Sequence, residues 1–255
     1  LIRIFTPNIR GRNRILRILV RLIPWQPIGS AYGPNLFGDR SDMTYQFAVT
    51  GFYGESLSRE IQRLPKNTVF LDIGANIGLY SILAARHLEQ GEVIALEPNP
   101  FTFRHLVDNV RYHKANNVTL LPCALTDGGW NLLSLNFDWR HMGMASLSKK
   151  QTGKIRVLAA GRPLLDLLDI PEDAPIFVKI DVEGAEVEVL KVLSEWAGWE
   201  KISDVFIEIS SSFHDERTVR WIYDFFRKRG LVPKYKHEEH YDQHFYRVER
   251  KKIIG

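Results

Sequence analysis

The stretch Val69-Phe-Leu-Asp-Ile-Gly-Ala-Asn-Ile-Gly-Leu-Tyr-Ser81 limits the folds open to this chain more than any other. It begins as an apolar run short enough for a buried strand. It then turns through Asp72, Gly74, Ala75, Asn76 and Gly78 and passes directly into Leu79-Tyr-Ser-Ile-Leu-Ala-Ala-Arg86, which reads as a helix. A strand that turns through glycines into a helix N-terminus is a ligand-binding device. Glycine lets the backbone bend and lets a ligand approach closely. The first amides of the helix have no partner within the helix and face whatever sits there.

The rest of the chain alternates in the same way. Strands are expected at 93–96, 118–121, 130–137, 155–158, 176–180 and 205–209, with a polar loop over 138–153. Helices are expected at 56–64, 101–113, 164–168, about 186–196 and 218–229, and a terminal hairpin at 231–237 and 244–249. Strands alternating with helices of this length imply an α/β fold, doubly wound around a mostly parallel sheet. Residues 24–50, rich in Pro, Gly and Asn, read as an irregular connection. This division gives an extension over 1–50 and one domain over 51–255.

Charge is distributed unevenly. Residues 1–38 hold six arginines (Arg3, Arg10, Arg12, Arg14, Arg17, Arg21) and no acid. Of the 34 basic residues this leaves 28 for the remainder, against 30 acids, a net of −2. A body without basic excess argues against nucleic acid as partner. Residues 11–23 read as an amphipathic helix, ended by Pro24. Arg10, Arg14, Arg17 and Arg21 form one stripe, and Ile15, Ile18, Leu19, Leu22 and Ile23 the opposite side. Two readings stand: a helix packed on the body with a solvated arginine face, or one lying on an anionic membrane surface or an acidic partner. The single cysteine, Cys123, rules out an internal disulfide framework. A reducing compartment fits, so the expected location is cytoplasmic, with peripheral membrane contact through 11–23 as the variant. No stretch reaches the ~18 apolar residues of a membrane span. The chain begins at Leu1 without an initiator Met, so what precedes it is open, as is the oligomeric state.

In open α/β sheets, ligands bind beyond the carboxyl ends of the strands. The residues expected there are Asp72 to Gly78, Glu97, Cys123-Ala124-Leu125, Asp181 to Glu186, and Glu208. Glu97 ends the next strand after the glycine loop, where an acid accepts hydrogen bonds from ribose hydroxyls. The G-x-G-x-x-G fingerprint of dinucleotide binding is absent. An acid, Asp72, precedes the first glycine, which opposes a phosphate and suits an amino group or a sulfonium. S-adenosylmethionine carries both of these and no phosphate.

Together FLDIGANIGLYS (70–81), VIALEPNP (93–100), PCALTDGG (122–129), FVKIDVEGAEVEVL (177–190) and VFIEIS (205–210) resemble the FkbM family of class I S-adenosylmethionine-dependent methyltransferases. The match spans roughly 52–210. The resemblance implies a Rossmann-like, seven-stranded sheet and O-methylation of a hydroxyl on a sugar, a glycan or glycolipid, or a secondary metabolite. The family's Gly-x-Tyr-Glu is here Gly51-Phe-Tyr-Gly-Glu55, one residue longer, which bears on whether Glu55 reaches the cofactor. The cofactor-binding set is then Glu55, Asp72, Gly74, Ala75, Asn76, Gly78, Ser81, Glu97, Pro98, Asn99, Cys123, Ala124 and Asp181.

Methyl transfer to an alcohol needs a positioned acceptor and a base. Asp181, at a strand end, Glu208, and the loop histidines His141 and His214 are the candidates, the histidines because they titrate near neutral pH. Lys179, two residues before Asp181 on an apolar strand, needs an acidic partner. Asp181, Glu183 and Glu208 form an oxygen-only set that would suit Mg²⁺, the less favoured reading. His237, His240 and His244 lack zinc-site spacing and are expected to be structural. The alternatives to O-methylation are N-methylation of a small molecule, and a silent cofactor-binding docking module.

Overall fold

The computed structural model describes residues 18–22, 26–51, 54–127, 130–138, 141–146, 153–234 and 242–247. Short strands β1 (Ile28–Gly29) and β2 (Asn35–Leu36) pair antiparallel and lead to helix α1 (Met43–Thr50) and helix α2 (Glu55–Ile61). The core then unfolds as β3 (Val69–Ile73), α3 (Leu79–His87), β4 (Glu92–Leu96), α4 (Pro100–His113) and β5 (Val118–Leu121). Next come β6 (Ala124–Leu125), β7 (Asn131–Asp138), β8 (His141–Ser146), β9 (Gly153–Ala160) and α5 (Arg162–Leu165). The chain closes with β10 (Ile176–Ile180), α6 (Glu186–Glu195), a 3₁₀ turn (Ala197–Lys201), β11 (Ile202–Glu208), α7 (Glu216–Lys228), β12 (Leu231–Pro233) and β13 (Asp242–Arg247).

Seven strands form the main sheet in the order β12-β13-β11-β10-β3-β4-β5. All pairings are parallel except those of β13, which runs antiparallel to both β11 and β12. This is the Rossmann-like sheet with a C-terminal antiparallel hairpin that the sequence leads one to expect. Strands β3 and β10 are buried along their whole length, as central parallel strands must be. Val69, Leu71, Ile73, Val178 and Ile180 fill one core, against α6 and α7. Phe70 and Phe177 pack in the other, with rings stacked at 5.5 Å.

Two stretches differ from expectation. Residues 43–50 are a helix, not part of an irregular connection. Apolar periodicity is weak there, so the pattern does not announce it. The caps do: Asp42 accepts from the Thr44 amide at 2.9 Å, and Gly51 closes the helix at φ 73°. Residues 141–146, expected in a polar loop, are strand β8, hairpinned to β7. The strands β6-β9-β7-β8 make a separate four-stranded sheet.

The N-terminal part is built into the fold. Ile28, Leu36, Tyr45, Ala48 and Val49 bury against Ile77 and Leu79, which follow the first glycine of the opening loop. Asn109 of α4 clamps this contact. It accepts from the Phe37 amide (2.6 Å) and donates to the Phe37 and Ile77 carbonyls (3.0 and 2.7 Å). Burial pushes the Tyr45 hydroxyl up to about 12, although Arg40 beside it pulls the other way. Of the helix expected over 11–23, only 18–22 lie within the described residues. There Val20 is the inward side chain, while Ile18, Leu19 and Leu22 are exposed. At these three positions the apolar side faces outward. His237 and His240 lie outside the described residues. His244 is buried on β13 and sits 2.8 Å from Asp204.

Candidate active site

The carboxyl ends of β3, β4 and β10 open onto a cleft of about 660 Å³. Its floor is Ile73, Gly74 and Asn76 from the first strand end, and Leu96, Glu97 and Pro98 from the second. Cys123, Ala124 and Leu125 follow β5. Asp181, Val182, Glu183 and Ala185 form the opposite wall. Leu135 reaches in from β7, so the four-stranded sheet closes one side.

The glycine loop is shaped by contacts within the protein. A side chain at Gly74 (φ 83°) would put its Cβ 1.9 Å from the Asp181 carbonyl oxygen. Glycine is needed there because the ends of β3 and β10 touch. A Cβ at Gly78 (φ 88°) would meet Leu106 of α4 at 2.4 Å. Gly78 thus packs helix on helix and does not line the cleft. Asn76, at φ 52°, is a left-handed position suited to Asn. The Asn76 amide donates to Glu97 at 2.8 Å, tying loop to strand end.

Glu97 is the buried acid of the site. It also accepts from the Asn99 amide (2.8 Å) and the Thr102 hydroxyl (2.9 Å). Burial pushes its carboxyl above the usual range, against the pull of these hydrogen bonds. Two oxygens carry about four lone-pair directions, so three donors leave capacity for a ligand hydroxyl. Burial likewise raises the Cys123 thiol to about 11, making it a small apolar wall residue.

Lys179 organises the other side. Its ammonium donates to the Gly74 carbonyl and lies 3.2 Å from Asp72 and 3.6 Å from Asp181. Burial alone would depress it, but Asp72 and Asp181 outweigh that and hold it above the ordinary lysine value. Asp181 keeps about a third of its side chain exposed, 32%.

Several expected site residues stand elsewhere. Asp72 is fully buried; Ser81 donates to it at 2.6 Å, and both sit beneath the loop, outside the cleft. Ala75 packs in the core with Ile82 and Leu106. Asn99 caps α4 by accepting from the Phe101 amide, behind Glu97. Glu55 opens α2, is exposed, and bridges to Arg59 at 2.7 Å; it does not line the cleft. His214 is buried 2.7 Å from Glu186, which also accepts from the Gly184 and Val182 amides. It bolts the loop after β11 to the loop after β10 and does not line the cleft, which corrects its expected role as base. Glu208 sits opposite Asp242 in the sheet and does not line the cleft either. His141 falls on β8, and its side chain lies outside the described residues. Asp181, Glu183 and Glu208 do not converge; among the described residues no group of three His, Cys, Asp or Glu could hold a metal. Lining residues that sequence reasoning missed are Leu96 and Leu135. Leu96 ends β4 and carried that signal, whereas Leu135 lies within β7 and carried none.

The cleft's chemistry is one-sided. Among the described residues its charged lining groups are Glu97, Asp181 and Glu183, with no lysine or arginine. Such a lining repels a phosphate and suits a cation with an apolar body. The cleft therefore fits S-adenosylmethionine: apolar walls for adenine, Glu97 for ribose, carboxylates for the ammonium and sulfonium. It does not fit a dinucleotide.

The chain resembles known proteins over the same region. It is 25% identical over 181 residues to Methyltransferase 1 of Beauveria bassiana, covering 63% of this chain and 72% of that one. It is 27% identical over 149 residues to the hexuronic acid methyltransferase AglP of Haloferax volcanii, covering 58% and 59%. Among solved structures, the human methyltransferase 10 domain containing protein superposes with TM-score 0.52 at 10% identity, covering 94% of this chain and 99% of that one, a likeness of fold. Residues 58–230 match the family described as Vibrio cholerae RfbT protein. That match covers more than half of the chain, which therefore belongs to this family and, with these relatives, is a methyltransferase.

Proposed function

We propose that the chain is an FkbM-type O-methyltransferase that moves a methyl group from S-adenosylmethionine to a hydroxyl of a sugar, a glycan or glycolipid, or a secondary metabolite. The observation that carries this reading is the acidic, phosphate-repelling cleft, with Glu97 buried at one end and Asp181 half-open at the other. AglP, by its name a hexuronic acid methyltransferase, supports a sugar-type acceptor. When bound, S-adenosylmethionine supplies an electrophilic methyl group on sulfur.

The residues have separable duties. Glu97 binds and orients the ribose. Asp181 faces the open end of the cleft, where an acceptor must enter. Its carboxylate lies 3.6 Å from the Lys179 ammonium, which holds it in place. There it can accept the proton of an acceptor hydroxyl, the service an alcohol nucleophile requires. The walls Leu125, Leu135 and Val182 exclude water from the reacting region.

Isothermal titration with S-adenosylmethionine, followed by assay of Asp181→Asn against a panel of uronic acids, glycans and polyketide alcohols, tests the reading. Binding should survive in Asp181→Asn while turnover falls by about 10²–10⁴-fold. Absence of S-adenosylmethionine binding to the native chain would end it. Full turnover in Asp181→Asn would remove Asp181 as base.

A further inference from the structure

Residues 18–22 form a helical turn whose inward contact is Val20. Val20 is fully buried among Ile28, Leu36, Tyr45 and Val49. Ile18, Leu19 and Leu22 are 52%, 43% and 74% exposed. At about 100° per residue, these three share one sector of the helix, and Val20 lies on the far side. Arg21 is exposed at the edge of the outward sector. One valine thus fastens the turn to the fold while three large aliphatic side chains point away from it. That is the reverse of the arrangement in which a surface helix buries its apolar stripe.

Charge says what the outward sector meets. The sequence puts Arg10, Arg14 and Arg17 at helical spacing from Arg21, and residues 1–38 contain no acid. The basic excess of the chain therefore lies in the same stretch of sequence as this outward aliphatic sector. The phosphates of a nucleic acid would satisfy the arginines and offer nothing to Ile18, Leu19 and Leu22. A lipid surface satisfies both: hydrocarbon takes the aliphatic side chains, and anionic headgroups take the arginines at the rim.

We propose that this turn docks the chain on an anionic lipid surface, with Ile18, Leu19 and Leu22 entering the boundary between headgroups and acyl chains. Val20 then ties the docked turn to the body through a cluster that also holds Ile77 of the glycine loop. The donor cleft is thereby held at a set position relative to the lipid surface. This inference stands independently of which acceptor the enzyme methylates.

Flotation of the full chain with vesicles tests it. Phosphatidylcholine mixed with phosphatidylglycerol is compared with phosphatidylcholine alone. The native chain should float with the mixed vesicles, float less with the neutral ones, and dissociate as salt is raised. Leu19→Asp/Leu22→Asp should weaken partitioning at least about tenfold, and Arg21→Glu by a smaller factor. Titration with S-adenosylmethionine and the thermal unfolding midpoint should stay unchanged in both, which separates lost docking from lost folding. Should the double variant fail to fold, Leu22→Ser at the most exposed position carries the same comparison. No flotation of the native chain, equal flotation on both vesicle types, or equal partitioning of a folded variant would each overturn the proposal.

Discussion

Lys179 and Asp72 stand directly opposite each other on adjacent parallel strands, with Nζ 3.2 Å from Oδ1, at the heart of a sheet that is otherwise apolar there. The pair is completed by the Gly74 carbonyl and by Ser81, so every buried charge in it has a partner. It fastens the start of the glycine loop from below and steadies Asp181 from the side.

Removing one member should therefore be costly. Lys179→Met leaves Asp72 buried and uncompensated, and should destabilise the chain by about 3–5 kcal/mol. Lys179→Met/Asp72→Leu should cost less than that single change. Urea unfolding of both variants checks this. The lysine is held above its ordinary value of 10.5, so its contribution is full below that value and is lost only as pH rises beyond it. No loss from this group is expected between pH 5 and 9.

Glu97 should make donor binding acid-sensitive. Its carboxyl is raised by burial, so it takes up its proton at a pH above the ordinary 4.5. Affinity for S-adenosylmethionine should fall as pH drops toward and through that raised value. A raised carboxylate also has the opposite sign in stability: the fold loses stability as pH rises from 4.5 through the raised value. Glu97→Gln can accept only one of the Asn76 and Asn99 amides through its single carbonyl. It should weaken binding by about 10–100-fold at neutral pH, read by calorimetry.

Cys123 offers a reporter for the cleft, since it is the only cysteine and lines the wall. With its thiol raised to about 11, roughly one molecule in a thousand is thiolate at pH 8. Alkylation should be slow, should speed up tenfold per pH unit, and should slow further with saturating S-adenosylhomocysteine. Mass spectrometry of the single adduct measures it. Protection absent at saturation would place the ligand elsewhere.

His214→Ala should cost about 1.5–3 kcal/mol, because Glu186 loses its buried partner. Gly184→Ala should cost a similar ~1–3 kcal/mol, since a Cβ at φ 106° would lie 2.9 Å from the Phe213 ring. Both loosen the wall that carries Asp181 and Glu183. Thermal unfolding should register the loss, while donor affinity should change less than in Glu97→Gln.

Asn109→Ala should detach the N-terminal segment locally by removing its clamp on Phe37 and Ile77, at about 2–3 kcal/mol. Limited proteolysis should then cut first near 30–40. Deleting residues 1–50 should weaken S-adenosylmethionine binding, because Ile77 and Leu79 lose their cover.

The alternating core was legible in the sequence because buried parallel strands leave mostly apolar runs: β10 has the bounds its residues predict, and so does the partly exposed edge strand β5. Helix α1 was not, since its boundary signal lies in two capping residues and its faces are both half covered. Within the site, Asn76, Glu97, Pro98, Cys123 and Asp181 stand at the cleft because strand ends follow from the pattern. Asp72 and Glu55 show the limit. A strand-end acid can point into a pocket or down to a buried lysine, and only packing decides. Lys179, two residues from Asp181, was the clue that Asp72 would be taken.

Leu135 has a consequence for how such an enzyme can change its substrate. It belongs to the four-stranded sheet, which is inserted between the fifth and tenth strands, yet it touches the donor cleft. A graft of that sheet from a relative would bring along part of the wall around the donor. Part of the donor cleft's wall is thus carried on an inserted module, and a transplant that omits a side chain of leucine's size at this position would open a leak to water.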